Sequence, residues 1–440
     1  MKWIIAILIF SLLIIVHEYG HFLVARLNGV DVEEFSIGFG PRLLSTVSGG
    51  VRYSLKALPF GGSCRMRSAL EEMEGDMSLP DSIPEGTFES VSYGRRAAIL
   101  FAGPFFNFLL AFVCAIIVIG VVGYDPAEVL AVAENSPAAE AGLKKGDVIT
   151  GFMGGHVDIG RDVDTWFVLH DLTKETTVTM TVRRNGETKK LSFRPLVTDR
   201  YMLGMTYMPD ENAAVIEAVQ ASSPLAKAGI KANDIITAIN GNAMKSGNEL
   251  ASYMKEHPLT EDPVTLTIKR GEEAFATEVT PVLNESVTLG ASVNLGRVRT
   301  TPIRVVGYSF VEIRYWIGTV LKSLGGMFTG RFTVNDLSGP VGVVDVVGTT
   351  YENTKSEGAL MTWMNMLNLI ILLSANLGVM NLLPIPGIDG GRLLGILISV
   401  IRGRPMDVKV EGTIQLVTAT LLLALMVYVC YHDIITMLAR

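Results

Sequence analysis

Long apolar segments constrain the fold of this chain more than any other feature of its sequence. Residues 97–122, 359–388 and 412–431 contain no Asp, Glu, Lys or Arg, and a further apolar run begins at Trp3. A helix of about 20 apolar residues crosses the hydrocarbon core of a bilayer. The sequence therefore predicts four transmembrane helices, over residues 1–27, 95–123, 359–390 and 412–440.

The N-terminal run follows Lys2, which is also how a cleavable signal peptide begins. Apolar residues continue through Phe22–Ala25, beyond the polar stretch at residues 17–21, and no small-residue cleavage site precedes Ala25. The run is therefore long enough to span a membrane, and we predict a transmembrane helix rather than a signal peptide.

The remaining composition is too polar for a protein embedded throughout in a membrane. Mean hydropathy is +0.38, and 49% of the 440 residues are hydrophobic. These values predict a few spans and a sizeable aqueous part. The formal net charge of −7 and the lack of a dense Lys/Arg run argue against a nucleic-acid partner. The three cysteines are far apart, which argues against a disulfide framework or a Cys-based zinc site.

The first apolar run contains two histidines with an acid between them. Residues four apart lie on one face of a helix, so His17 and His21 can hold one Zn²⁺. Glu18 stands beside them and can take a proton from a water molecule activated by the metal. An acid in an apolar segment costs free energy unless it is paired or used. The stretch therefore predicts one Zn²⁺ per chain, with Glu18 as the general base.

Hydrolytic zinc sites usually have three protein ligands. The other histidines lie in the aqueous part or, for His432, at the far end of the last span. Asp389 follows two prolines that break the third apolar segment, and broken backbone at membrane depth is buried in protein or lines a cavity. We predict Asp389 as the third ligand, although an Asp before Gly-Gly is also ordinary helix-capping chemistry.

Residues 28–94 are predicted to form a β hairpin and a loop on the cytoplasmic side. Val51–Lys56 alternates apolar and polar residues, and Ser48–Gly50 before it suits a hairpin turn. Two interpretations remain open: a hairpin in the cytosol, or a β element near the metal whose free edge pairs with an extended peptide. Glu71–Glu89, which is acidic and rich in Pro and Ser, is predicted to be a mobile loop.

The aqueous part contains a repeat of domain length. Residues 135–149 match residues 222–236, which indicates a duplicated domain, with copies at 124–208 and 209–290. The Ser-Pro-Ala-x-x-Ala-Gly-Leu-x-x-Gly-Asp-x-Ile run of the first copy resembles a PDZ domain of the bacterial protease type. Such domains bind peptides at a sheet edge. A size filter or spacer is the alternative.

Residues 291–358 are predicted to be a linker with one amphipathic helix. Apolar residues recur at helical spacing over 303–328, with charged residues between them. This helix either lies along the membrane surface or packs on the second repeat. Residues 391–411 are predicted to form a cytoplasmic loop, because they carry several basic residues.

Together these motifs resemble the site-2 proteases, a family of intramembrane zinc metalloproteases. The resemblance rests on His-Glu-x-x-His at 17–21, on Asn-x-x-Pro-x-Pro-x-x-Asp-Gly at 381–390, and on the PDZ-like pair between them. It covers essentially the whole chain, and two PDZ-like copies most resemble the RseP group of Gram-negative bacteria. The implied fold is an α-helical membrane protein with a membrane-associated β element and two inserted α/β PDZ-like domains.

The resemblance also implies site residues. It implies that His17, His21 and Asp389 bind zinc and that Glu18 is the base. Around them it implies that the substrate backbone is held by Asn381 and Asn107, and that the backbone near the metal is shaped by Pro384, Pro386 and Gly390.

A helical substrate must unwind to expose its carbonyls. Pairing with an edge strand that presents Val51, Tyr53 and Leu55 would hold it extended. The resemblance implies a single-pass membrane substrate such as a pre-cleaved anti-sigma factor, or a remnant signal peptide.

Basic residues beside the second span and before the fourth predict cytoplasmic loops. The PDZ-like pair then lies on the periplasmic side of a bacterial inner membrane, and the metal lies toward the cytoplasmic half. The rival interpretation is a non-catalytic membrane scaffold that presents peptides. Intact Glu18 and Asp389 argue against it.

Overall fold

The computed structural model describes residues 2–69, 83–294 and 296–438, so most of the predicted loop at Glu71–Glu89 lies outside the described residues. The chain divides into two compact units. Unit 1 comprises Met1–Ala127, Asp158–His170 and Leu295–Arg440, and unit 2 comprises Glu128–Val157 and Asp171–Asn294.

The helices, in chain order, are α1 Lys2–Leu27, α2 Tyr93–Val122, α3 Pro137–Glu140, α4 Gly160–Leu169, α5 Pro224–Lys227, α6 Gly247–Glu256, α7 Pro302–Phe328, α8 Pro340–Thr354, α9 Ala359–Leu382, α10 Asp389–Arg402 and α11 Val408–Leu438.

The strands are β1 Val32–Ser48, β2 Val51–Met66, β3 Val129–Val132, β4 Val148–Phe152, β5 Gly155–His156, β6 Val178–Arg184, β7 Glu187–Phe193, β8 Leu196–Met202, β9 Met205–Tyr207, β10 Ala214–Val219, β11 Ile235–Ile239, β12 Asn242–Ala243, β13 Val264–Arg270, β14 Glu273–Val279, β15 Val282–Thr288 and β16 Ala291–Val293.

Four helices in the described part of the chain are long and apolar enough to cross a membrane. They cover Ile4–Leu27, Tyr93–Val122, Ala359–Leu382 and Lys409–Met437. The third is shorter than the predicted segment 359–390, because α9 ends at Leu382 and α10 begins at Asp389. Pro384 and Pro386 lie between them, and proline cannot continue the helical hydrogen bonding.

Close helix packing in unit 1 depends on glycines. A Cβ on Gly20 of α1 would lie 2.5 Å from the carbonyl oxygen of Ala102 in α2. One on Gly378 of α9 would lie 2.7 Å from the ring of Phe108 in α2. Within a bilayer the hydrophobic effect does not drive helices together, so small residues that allow close van der Waals contact take its place. The three helices α1, α2 and α9 therefore form the frame on which the site is built.

The amphipathic helix α7 packs within unit 1. The ring centroids of Phe310 and Phe112 in α2 lie 4.4 Å apart, and those of Tyr308 and Tyr124 lie 3.7 Å apart. Its buried Glu312 accepts a hydrogen bond from Arg161 of α4 at 2.5 Å. Within unit 1, α7 therefore packs against α2 and α4.

Strands β1 and β2 form the predicted hairpin. Ser48 is the register partner of Val51, so Gly49 and Gly50 make a two-residue turn. Their φ angles are +56° and +80°, and such left-handed turns favour glycine because they match the twist of the strands. The hairpin is much longer than the predicted strand.

The hairpin folds back on itself into four neighbouring segments. Residues 34–37 have partners in both 62–65 and 52–55, and residues 44–48 have partners in 51–55. Segment 51–55 therefore has a neighbour on each side. The prediction of a free edge at Val51, Tyr53 and Leu55 is wrong. The sequence alternation showed a strand, but the partners of that strand come from a fold-back that alternation does not encode.

Unit 2 contains most of both repeats, and each repeat builds a small antiparallel sheet. The order is β5-β4-β6-β7 in one sheet, and β14-β13-β11-β10-β9 in the other, with β12 paired to β11. The predicted short helix after Ser-Pro is α3 in one copy and α5 in the other. The equivalent Asp147 and Asp234 each form an ion pair with an arginine, Arg184 and Arg270 respectively. The guanidinium of Arg270 lowers the pKa of Asp234.

The predicted boundaries at 208 and 290 differ from the strand pairing. Strand β9 pairs with β10, and β16 pairs with β3, while β8 and β15 pair with each other. The last strand of the first copy, β9, thus joins the first strand of the second copy. Strand β16, which directly follows the second copy, joins the first strand of the first copy, so residues 291–293 are not linker. Residues 158–170 also group with unit 1. Sequence similarity shows where the two duplicated segments lie. It does not show that strands of one segment pair with strands of the other.

Candidate metal centre

Helix α1 places His17 and His21 on one buried face, one turn apart. Their Nε2 atoms lie 3.2 Å apart, and the rings meet edge to face with centroids 4.8 Å apart. Both rings are buried. The four-residue spacing predicted in the sequence therefore directs two imidazole nitrogens at one point.

Asp389, the first residue of α10, completes the cluster. Its Oδ2 lies 3.1 Å from Nε2 of His17 and 3.3 Å from Nε2 of His21. This oxygen is buried, and no donor in the described part of the chain gives it a hydrogen bond of good geometry. Tetrahedral zinc with bonds of about 2.0–2.1 Å sets neighbouring ligand atoms about 3.3–3.4 Å apart. The three donor atoms and the unsatisfied oxygen therefore fit a zinc ion.

Two glycines after Asp389 allow it to reach this position. A Cβ on Gly390 would lie 2.1 Å from the carbonyl oxygen of Leu383, and one on Gly391 would lie 2.2 Å from that of Ile385. Any side chain there would push α10 away from the proline-containing turn. The glycines thus let the turn fold tightly onto the start of α10, which brings the carboxylate to the histidines.

Helix α2 lies close against the two rings. A Cβ on Gly103 would lie 2.3 Å from Nε2 of His21 and 2.8 Å from Cε1 of His17. One turn earlier in α2, the carbonyl oxygen of Ile99 accepts a hydrogen bond from Nδ1–H of His21 at 2.8 Å. That bond places the proton on Nδ1 and leaves Nε2 free to bind a metal.

The carboxylate of Glu18 faces the hairpin. Its Oε2 accepts a hydrogen bond from the backbone N–H of Cys64 at 2.8 Å. The Cys64 thiol is not a candidate nucleophile, because burial raises its pKa to about 12. The backbone amide of Cys64 therefore orients the proposed base, and a backbone group of this kind gives no signal in the sequence.

The other predicted residues lie around this cluster in different settings. Asn107 is fully buried beside His17. Asn381 is half-buried in the last turn of α9, and Val51 is buried. Tyr53 and Leu55 line an apolar cavity of about 460 Å³ together with Tyr19 and Phe22 of α1. The remaining predicted residues lie in or directly after the turn between α9 and α10: Pro384, Pro386 and Gly390.

Besides the Cys64 amide and Gly391, two further contributors to the site were not predicted from the sequence. The roles of the Ile99 carbonyl and of Gly103 appear only when α2 is placed against α1. The sequence offered one signal for Gly103, because Gly-Pro inside an apolar span is an unusual helix interior.

The chain is similar in sequence to known proteins over nearly its whole length. Residues 5–425 match the sequence model of Peptidase family M50. The zinc metalloprotease RasP of Bacillus licheniformis is 28% identical, with 97% of each chain covered. A protein of Clostridium acetobutylicum described as "Putative zinc metalloprotease" is 29% identical, with 98% of this chain and 97% of that chain covered. Among solved structures, the HtrA3 PDZ domain bound to a phage-derived ligand aligns with 20% of this chain. The alignment includes 93% of the HtrA3 chain, with 21% sequence identity and a TM-score of 0.18.

Proposed function

Because the chain belongs to peptidase family M50 and is a zinc metalloendopeptidase, we propose that it cleaves single-pass membrane proteins within or next to their transmembrane segment. The observation that carries this proposal is the cluster of His17, His21 and Asp389 among helices apolar enough to span a bilayer. We assign these three residues as the zinc ligands. A hydrolytic centre built on such helices is useful only for a substrate that lies in the membrane.

Zinc, Glu18 and the backbone amide of Cys64 have separate roles in the proposed reaction. Zinc, when bound, supplies a Lewis acid that polarises the scissile carbonyl and activates water. Glu18 accepts the proton of the attacking water at a carboxylate oxygen and then delivers it to the leaving amide nitrogen. The Cys64 N–H, which donates to Oε2 of Glu18, holds the carboxylate in place during both transfers.

Removing Asp389 tests the assignment. We expect Asp389→Ala to lose bound zinc and to cleave no single-pass model substrate in detergent, because two histidines alone leave the site without a third protein ligand. Zinc content and product formation are measured side by side. Asp407→Ala, which removes an exposed carboxylate before α11, is the matched control and keeps both. Full zinc and normal cleavage in Asp389→Ala would place the third ligand elsewhere.

We propose that the substrate pairs with a different hairpin edge from the one first predicted. Segment 62–66 pairs with β1 on one side, and no other strand in the described part of the chain covers its second side. The Cys64 amide in this segment reaches Glu18. An extended peptide added along this edge would therefore lie beside the base, which supports strand addition at 62–66.

Disulfide trapping distinguishes the edges. The enzyme carries Glu18→Gln and has its three native cysteines replaced by serine, and the substrate carries one cysteine near its cleavage site. We expect cross-links to Ser63→Cys and none to Ser54→Cys, because Ser54 lies between two paired segments. Thr46→Cys tests whether substrate binds at the outer edge of the hairpin, which is formed by residues 44–48. Cross-linking to Thr46→Cys but not to Ser63→Cys would assign substrate to that outer edge instead.

The positions of the basic residues support a proposal for how the chain is oriented in the membrane. Basic residues near the second and fourth spans support cytoplasmic loops, so we propose that residues 124–290 face the periplasm across an inner membrane. The two PDZ-like repeats would then exclude substrates whose outer part has not yet been shortened. Candidate substrates are a pre-cleaved anti-sigma factor and remnant signal peptides. The match to Peptidase family M50 argues against the rival interpretation of a non-catalytic scaffold.

A further inference from the structure

Asn107 of α2 faces His17 from a fully buried position. Its Nδ2 lies 3.1 Å from Nδ1 of His17, and its side chain is 0% exposed. Its Oδ1 is buried and has no hydrogen-bond partner among the described residues. An unsatisfied buried amide oxygen costs free energy. A carboxamide at this position therefore needs a reason beyond helix packing.

The reason is that the proton on Nδ1 of His17 needs an acceptor. Nε2 of His17 points at Asp389 and at His21, so Nε2 is the atom that would bind the metal. A neutral imidazole that binds a metal through Nε2 carries its proton on Nδ1. An Nδ1–H beside Asn107 needs an acceptor, and of the two amide atoms only Oδ1 can accept.

The Nδ1 proton of His21 also needs an acceptor, and a backbone carbonyl provides it. Its Nδ1–H donates to the carbonyl oxygen of Ile99, which can only accept. His17 has the Asn107 carboxamide instead, and a half-turn about the last side-chain bond exchanges Oδ1 and Nδ2. In the orientation that the structure shows, Nδ2 faces His17 and Oδ1 has no partner among the described residues. A metal on Nε2 therefore decides the orientation, because it fixes the proton on Nδ1.

We propose that Asn107 is a positioning residue for the metal. Its Oδ1 accepts a hydrogen bond from Nδ1–H of His17 and so keeps Nε2 unprotonated and aimed at zinc. This inference rests on the zinc site proposed above. Partners of this kind fix the tautomer and orientation of a ligating histidine, and their loss costs about 10–100-fold in metal affinity.

The test measures zinc affinity of the full chain in detergent by competition with a chelator. Asn107→Leu keeps the shape but has no acceptor, and we expect its zinc dissociation constant to rise about 10–100-fold. Asn107→Ala serves as a second variant if the Leu protein does not fold. Asn107→Asp keeps acceptor oxygens, so we expect its affinity to stay close to wild type. Ser374→Ala is the matched control, because Ser374 Oγ–H donates to the backbone carbonyl of Asn107 and not to its side chain.

A second readout reports the hydrogen bond itself. In the zinc-loaded protein with ¹⁵N-labelled histidine, we expect a protonated Nδ1 on His17 in the wild type, identified by its loss in His17→Ala. Thermal unfolding of the Asn107 variants shows whether a change in affinity merely follows a change in stability. A purely structural Asn107 would weaken zinc binding only in proportion to lost stability and would not be rescued by Asp.

The outcomes separate this inference from the site it rests on. If His17→Ala loses zinc but Asn107→Leu binds it as tightly as wild type, the site stands and the role of Asn107 is overturned. That role is also overturned if Asn107→Asp is as weak as Asn107→Leu, since an acceptor would then not be what matters. If His17→Ala itself keeps wild-type affinity, the zinc ligands are misassigned and both proposals fall.

Discussion

Replacing Glu18 by Gln is expected to lower the cleavage rate by about 10²–10⁴-fold, the usual contribution of general acid–base catalysis, while bound zinc stays at the wild-type level. Gln has the same shape and keeps an oxygen that can accept the Cys64 N–H, so the hairpin contact survives. It cannot take a proton from water at neutral pH. Zinc remains because Glu18 contributes no atom to the cluster of three proposed ligand atoms.

The measurement compares initial cleavage rates and zinc content on the same preparations. Glu217→Gln, which makes the same chemical change at an exposed position on β10, is the control and should cleave at the wild-type rate. If Glu18→Gln cleaved normally, another group would have to move the proton. If it lost zinc, Glu18 would be a ligand rather than the base.

The sequence contained most of the information about the metal centre, because its chemistry depends on side-chain type. Two histidines at helical spacing predict a shared face whatever surrounds them. Asp389 could also have been a helix cap, and the His-Glu-x-x-His stretch in another apolar segment is what favoured its assignment as a ligand. The structure brings these residues together on α1 and α10.

Features that depend on backbone pairing could not be predicted in the same way. The alternation over Val51–Lys56 identifies a strand but does not tell which segments lie on either side of it. The same limit applied in unit 2, where β16 pairs with β3 across the whole second repeat. The hydrogen bond from Cys64 to Glu18 uses a backbone N–H, which every residue except proline carries.

Replacing Gly103 by Ala is expected to remove zinc and cleavage together. The added Cβ would lie 2.3 Å from Nε2 and 2.6 Å from Cε1 of His21, and 2.8 Å from Cε1 of His17. These are ring atoms, and the His21 ring is held in place by Nδ1–H donating to the Ile99 carbonyl in the same helix α2. The rings cannot turn away without losing that bond, so α2 must move or the ligand nitrogens must leave the site.

A displacement of about 1 Å in a catalytic geometry can cost about 10²-fold in rate, and here the displaced atoms belong to the proposed zinc ligands. Gly120→Ala is the matched control, because it adds the same methyl group to the same helix where no atom lies within 4 Å. We expect Gly120→Ala to keep zinc and activity. Wild-type zinc affinity in Gly103→Ala would mean that α2 does not lie this close to the histidines when the metal is bound.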